Sequence, residues 1–275
     1  MNTKHVVFHF ASGDAPLLVS MPHVGTELPA GFAERLSAPA RALPDTDWHI
    51  DRLYDFVDGL GASILRAHYS RYVIDLNRPP DDVPLYPGSA GIGLIPTILF
   101  DGTPLYRGRI TPDKNEIAER LRTYWRPYHD HLARELERIR AKFGFALLFD
   151  AHSIRSIVPR LFDGRLPDVN LGTGGGTSAD ETLARALVAE CERQRTYDFV
   201  LNGRFKGGYI TRHYGKPADH VHAVQLELSQ RTYMDEDPPF AFEETLANAV
   251  RPLLRAVLVR MLDWAESRYR WRARA

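Results

Sequence analysis

Cysteine is almost missing from this chain: Cys191 stands alone among 275 residues. One cysteine excludes an intramolecular disulfide framework and any zinc site built on several thiolates. A metal site here has to be made of histidines and carboxylates, and Cys191, in a helical stretch far from the motifs below, reads as structural. Net charge is missing too. Lys+Arg and Asp+Glu are each 35, giving +0 with His neutral, so no global pull toward nucleic acid or an anionic membrane exists. No run approaches the roughly 20 apolar residues that span a bilayer. Met1 to Phe10 contain one Lys and two His and lack the long apolar run and small-residue cleavage site of a signal peptide. A cytoplasmic location is the expectation. Repeats and linkers are also absent. The Gly-rich run Gly172 to Gly176 is short and, with Thr177 and Ser178, reads as a mobile loop inside a domain. One domain over residues 1–275 is expected. What the chain does have is ordinary globular composition, 44% hydrophobic and 25% charged, enough for a sizeable core.

Short apolar runs alternate with amphipathic stretches. Leu17–Met21, Ser63–Tyr69, Tyr72–Leu76, Phe145–Phe149, Phe199–Leu201 and Ala223–Leu228 read as strands. Trp48–Gly59 carries apolar residues at helical spacing. Thr111-Pro112 opens the longest helix, Thr as N-cap and Pro at the first helical position. Its stripe runs Ile117, Leu121, Tyr124, Tyr128, Leu132, Leu136, Ile139, with a kink expected at Pro127 and an end at Gly144. Ser178–Gln194 and Glu243–Tyr269 complete the helices. This alternation predicts an α/β layered sandwich with a mixed, largely parallel sheet. Ligands in such folds bind where loops leave the carboxyl ends of strands.

Polar residues gather at those ends. His23 follows the first strand in Met21-Pro22-His23-Val24-Gly25, and His152 follows another in Asp150-Ala151-His152-Ser153. A lone strand-end histidine is usually a hydrogen-bonded core or loop residue. Two on apolar strands, with carboxylates nearby, favour a metal. Asp47 and Asp51, four apart at a helix start, would share a face, and Glu27 is a further carboxylate candidate. Asp45 reads as a cap, and His49 points away from Asp47. Arg71 and Asn77-Arg78 flank a short apolar run that ends in an Asp75/Asn77/Arg78 cluster before Pro79-Pro80, with Arg suited to gripping a carboxylate. Asn202 to Arg212 mixes three Gly with three cations, which fits either an anion cradle or a flexible hairpin. Glu227 lies inside an alternating strand, either on the wet face of an edge strand or buried as a general base. The run Arg268 to Arg274 reads as a solvated helix end.

Taken together and in this order, Pro22 to Thr26, Asp47 to Asp51, Ser70 to Arg78, Asp150 to Ser153, Asn202 to Gly208 and Gln225 to Ser229 resemble the N-formylglutamate amidohydrolases over nearly the whole chain. The family is related in fold to zinc carboxypeptidases and aspartoacylases, although position 26 is Thr and their His-x-x-Glu spacing is absent. The resemblance implies a three-layer α/β/α sandwich and a zinc-dependent hydrolase of N-formyl-L-glutamate, the last enzyme of one histidine-degradation route. It implies His23, Asp47 and His152 as metal ligands, with Asp51 or Glu27 as alternative carboxylates. Glu227 becomes the base and Arg71 the oxyanion stabiliser. Asn77, Arg78 and Asn202, helped by Lys206 or Arg212, would bind the substrate, a small molecule. No nucleic-acid or membrane partner is implied. A same-fold zinc amidohydrolase for another N-acyl amino acid, or a non-catalytic amino-acid- or anion-binding protein, are the alternatives.

Overall fold

A computed structural model describes residues 6–84, 91–109 and 111–271. Among these, seven strands form one sheet: β1 (Phe8–Ala11), β2 (Leu17–Met21), β3 (Ser63–Ala67), β4 (Ala146–Ile154), β5 (Val169–Gly172), β6 (Phe199–Leu201) and β7 (Val221–Ser229). Their spatial order is β1-β3-β2-β4-β7-β5-β6. The pairs β3·β2, β2·β4, β4·β7 and β5·β6 run parallel, while β1·β3 and β7·β5 run antiparallel. The helices are α1 (Ile50–Leu53), α2 (Lys114–Arg120), α3 (Arg126–Phe143), α4 (Glu181–Glu192), α5 (Tyr209–Tyr214) and α6 (Glu244–Tyr269).

Side chains alternate between the faces of a strand, and this places the layers. Leu17 and Val19 of β2, Leu147 and Phe149 of β4, and Val224 and Leu226 of β7 pack with Leu53 of α1, Leu183 of α4 and Leu254 of α6. On the other face Leu18, Leu148 and Ala223 meet Tyr128, Leu132 and Ile139 of α3 and Ile210 of α5. Helices on both faces make the expected α/β/α sandwich with its mixed, largely parallel sheet. Toward the carboxyl ends of the strands, the positions that continue the α3 face are polar and buried: Ser20, Asp150, His152, Gln225 and Glu227. The site grows from this change along one face.

Several elements differ from the sequence reading. Tyr72–Leu76 is not a strand but a turn-rich segment. Its side chains are apolar because Tyr72 and Val73 fill one cluster while Ile74 and Leu76 fill another. The helix expected over Trp48–Gly59 shrinks to α1 and a 3-10 turn, Asp55–Leu60. The long helix is capped by Asp113, whose side chain accepts from the Glu116 N–H, and not by Thr111. Pro127 is absorbed by a π-helical turn, Leu121–Trp125, that joins α2 to α3. A wider turn accommodates a residue that cannot donate its N–H. Gly144 ends α3 at φ 81, a left-handed cap where glycine carries no steric penalty. β4 continues past Phe149 to Ile154, and β1, β5 and α5 were not expected. Arg272 to Arg274 of the basic tail lie outside the described residues. No helix among those described is long and apolar enough to cross a membrane.

Candidate active site

Three separate segments deliver the central residues. His23 follows β2, His152 sits within β4, and Asp47 precedes α1 in a loop. The loop is firmly held. The Asp47 N–H donates to the His23 carbonyl at 3.1 Å. Gln230 donates to the Thr46 carbonyl at 2.9 Å, and the Tyr233 hydroxyl to that of Trp48 at 2.8 Å. The carboxylate is thus placed by residues just after β7, not by a helix face. Asp51, on α1, is exposed and pairs with Arg66 at 3.4 Å, and Glu27 is exposed as well. Neither reaches the histidines. Asp45 caps no helix; it accepts from the Phe100 N–H at 3.0 Å. His49 contacts the Phe240 carbonyl with its Nε2, at 2.7 Å.

Both imidazoles turn Nδ1 toward Asp47 Oδ2, His152 at 3.0 Å and His23 at 3.7 Å. Their Nε2 atoms meet other carboxylates: Asp75 Oδ1 at 2.8 Å for His23 and Asp150 Oδ2 at 2.9 Å for His152. A carboxylate on Nε2 favours the proton there and leaves the Nδ1 lone pair for a metal. Asp75 and Asp150 are held in turn. Arg71 Nη2 donates to Asp75 Oδ2 at 2.7 Å, and the Ser20 hydroxyl donates to Asp150 Oδ1 at 3.0 Å. One donor atom each from His23, Asp47 and His152 fit within 4.8 Å of one another. Asp47 Oδ1 is buried without a hydrogen-bond partner, an acceptor that a cation would satisfy. Two imidazole nitrogens and one carboxylate, with Asp75 and Asp150 orienting the imidazoles, fit a divalent metal such as zinc.

The electrostatics agree. Burial opposes the charge on Asp47, but the hydrogen bond with His152 and the attraction of both imidazoles outweigh it and hold the carboxyl below its ordinary range. Burial likewise opposes charge on Asp75 and is overcome by Arg71 and His23. His152 resists charging through burial, yet Asp150 and Asp47 raise it well above its ordinary value. Three carboxylates around two imidazoles draw positive charge to this point.

A cavity of about 320 Å³ opens beside this cluster, lined by His23, His152, Glu227 and three arginines, Arg71, Arg78 and Arg204. Glu227 is not on an edge, because β5 and β6 lie outside β7. It stands in register with His152 on β4. Burial pushes its carboxyl up to about 8, and Gln225 donates to it at 3.1 Å. Arg71 is buried, and its pKa is raised by Asp75 and Asp47 against the cost of burial. Asn77 lines the cavity, but its amide is engaged: Oδ1 accepts from the Ile210 N–H at 2.8 Å, and Nδ2 lies 3.0 Å from His152 Nε2. Arg78 also lines it, with Nε donating to the Ile92 carbonyl at 2.6 Å. Asn202, Lys206 and Arg212 are not on the wall. The Asn202 side chain holds the Gly-rich loop through the Thr173 N–H at 2.9 Å, the Lys206 carbonyl accepts from Gly174, and Arg212 Nε donates to the Gly207 carbonyl at 2.8 Å.

Sequence reasoning did not assign Asp75, Asp150, Gln225 or Arg204. Period-two alternation was the available signal for Asp150 and Gln225, since it puts them on the face of His152 and Glu227. Asp75 had its i,i+4 spacing from Arg71. Nothing local marks Arg204 out from Lys206 or Arg212.

Comparison with known proteins follows the same lines. The family model of N-formylglutamate amidohydrolase matches residues 15–234. An N-formylglutamate deformylase of Pseudomonas aeruginosa is 59% identical over 263 residues, covering 96% of this chain and 98% of that one. Its counterpart in Pseudomonas putida is 55% identical with the same coverage. The crystal structure of N-formylglutamate amidohydrolase from Ralstonia eutropha superposes with a TM-score of 0.79 at 29% identity, covering 96% of this chain and 98% of that chain. A gene product of Agrobacterium tumefaciens, at 18% identity and a TM-score of 0.72, covers 97% of this chain and 98% of that one and shares the fold. With its sheet, its histidine–carboxylate cluster and this length of matched sequence, the chain belongs to the N-formylglutamate amidohydrolase family.

Proposed function

We propose that this protein hydrolyses N-formyl-L-glutamate to formate and L-glutamate in a metal-dependent reaction. One observation carries the reading: His23, Asp47 and His152 converge beside a cavity that also holds a buried carboxyl, Glu227, and a wall of arginines. A divalent cation held by these three residues, zinc being suited to the donors, supplies Lewis acidity that activates water and polarises a carbonyl. The chain's own groups do the rest. Glu227 takes a proton from the attacking water, and the oxygen adds to the formyl carbon. As the C–N bond breaks, Glu227 returns the proton to the amine nitrogen. A carboxyl used in both directions needs a pKa near the working pH, the direction in which burial moves it. Arg71, fixed by Asp75, brings positive charge to the cavity wall where the oxyanion grows. Arg78 holds a substrate carboxylate. This activity would make the protein the last enzyme of a histidine-degradation route, in the cytoplasm.

Zinc-loaded protein is expected to release formate from N-formyl-L-glutamate, and a chelator to abolish release until zinc is restored. Equal release from N-formyl amino acids without a side-chain carboxylate would move the substrate elsewhere in the N-acyl amino acids. No bound metal and no turnover would leave an anion-binding protein.

A further inference from the structure

The cavity divides chemically. His23, His152 and Glu227 form its reacting end, while Phe100, Ile154, Leu161 and Phe205 give it an apolar wall. These four belong to one hydrophobic cluster. Arg204 is anchored on that wall. Its Nε donates to the Leu161 carbonyl at 2.6 Å, and its guanidinium carbon lies 5.5 Å from the centre of the Phe205 ring. Arg78 has a different setting, next in the chain to Asn77, whose Nδ2 is 3.0 Å from His152 Nε2.

We propose that Arg204 determines specificity by receiving the side-chain carboxylate of a dicarboxylic N-acyl amino acid, while Arg78 receives the α-carboxylate. The assignment rests on the deformylase reading above. In N-formylglutamate the α-carboxylate is attached to the carbon that bears the scissile amide nitrogen, so it lies near the reacting end. The side-chain carboxylate is two methylenes further out. It calls for an apolar lining followed by a cation, the sequence that the Leu161–Phe205 wall and Arg204 provide. The spacing is also fixed. The loop that carries Arg204 is tied at Gly208, whose N–H donates to Gln225 Oε1 at 2.8 Å, and the same Gln225 donates to Glu227 at 3.1 Å. One short path links the anchor to the general base.

The test compares formate release from N-formyl-L-glutamate and N-formyl-L-glutamine, which differ by one charge. Arg204→Gln is expected to lower kcat/KM for the glutamate substrate by about 100-fold, as loss of a buried charge pair does, with the glutamine substrate nearly unaffected. The preference ratio then collapses. Arg204→Lys keeps part of the preference and checks that the loop still folds. Arg78→Gln lowers both substrates by the same factor. If Arg204→Gln lowers both equally, or if Arg78→Gln is the variant that collapses the ratio, the assignment is wrong. Failure of the deformylase reading looks different: the wild-type, zinc-loaded protein releases no formate from either compound, which removes the basis of the assignment as well.

Discussion

Replacing Asp75 with Asn keeps the shape beside His23 and removes one charge. The imidazole loses the carboxylate that fixes its Nε2 proton, and Arg71 loses its closest partner. Outer-shell partners of this kind are worth roughly 10–100-fold in metal affinity. Asp75→Asn is therefore expected to weaken zinc by that factor in chelator competition, and unchanged affinity would deny Asp75 an orienting role. Glu227→Gln separates chemistry from binding. It preserves volume and the possibility of contact with Gln225 but removes the proton acceptor. Zinc content should stay at the wild-type level while kcat falls by at least ~100-fold, the contribution of a positioned acid–base group. Near-normal turnover at full occupancy would exclude Glu227 as the base.

At the scale of elements, close approach matters more than propensity. Gly208 has an ordinary backbone, yet a Cβ there would lie 2.3 Å from the Asn77 amide nitrogen. Asn77 cannot yield, because the Ile210 N–H and the Asp150 carboxylate hold its amide. Gly208→Ala is expected to cost about 1–3 kcal/mol by overpacking and to weaken zinc with it. A thermal midpoint and zinc affinity both like wild type would mean that α5 shifts freely. The same scale shows what the sequence could reveal. Alternation of short apolar runs and amphipathic stretches made the layers legible, since β2, β4 and β7 bury both faces. Tyr72–Leu76 misled because a segment divided between two clusters is as apolar as a strand. The helix expected around Asp47 failed because the loop is held by Gln230 and Tyr233, far away in sequence. Glu227 stayed ambiguous between edge and interior until β5 and β6 were placed beyond β7, and β5, with Asn170 between its two apolar residues and Gly172 at its end, does not read as an apolar run. Histidines at strand ends were visible one by one; their shared focus on Asp47 is a product of tertiary structure.

The whole molecule should register pH through a histidine outside the metal cluster, His129, which packs behind the segment that carries Asp75 and Asn77. His129, on α3, is buried against α5, with its Nε2 at 2.8 Å from the Leu76 carbonyl and its Nδ1 at 3.0 Å from the Tyr214 hydroxyl. Burial pushes its pKa down to about 3 from an ordinary 6.5. Between those values the unfolded chain binds a proton at this position and the folded chain does not. Stability contributed by His129 is therefore present above pH 6.5 and is lost as pH falls toward 3. From pH 7 to pH 5 the loss is roughly 2 kcal/mol. The net slope of the protein hides it, because burial pushes the carboxyls of Asp45 and Glu227 up to about 6 and about 8. Those groups bind protons in the folded state first and pull stability the other way. A difference measurement isolates the histidine. His129→Gln offers a neutral amide N–H in place of Nε2–H and nothing that titrates. Urea unfolding of both proteins at pH 7 and pH 5 should show the wild type losing about 2 kcal/mol relative to the variant. A gap between the two that stays constant with pH would mean that His129 takes up its proton in the folded protein as readily as in the unfolded chain.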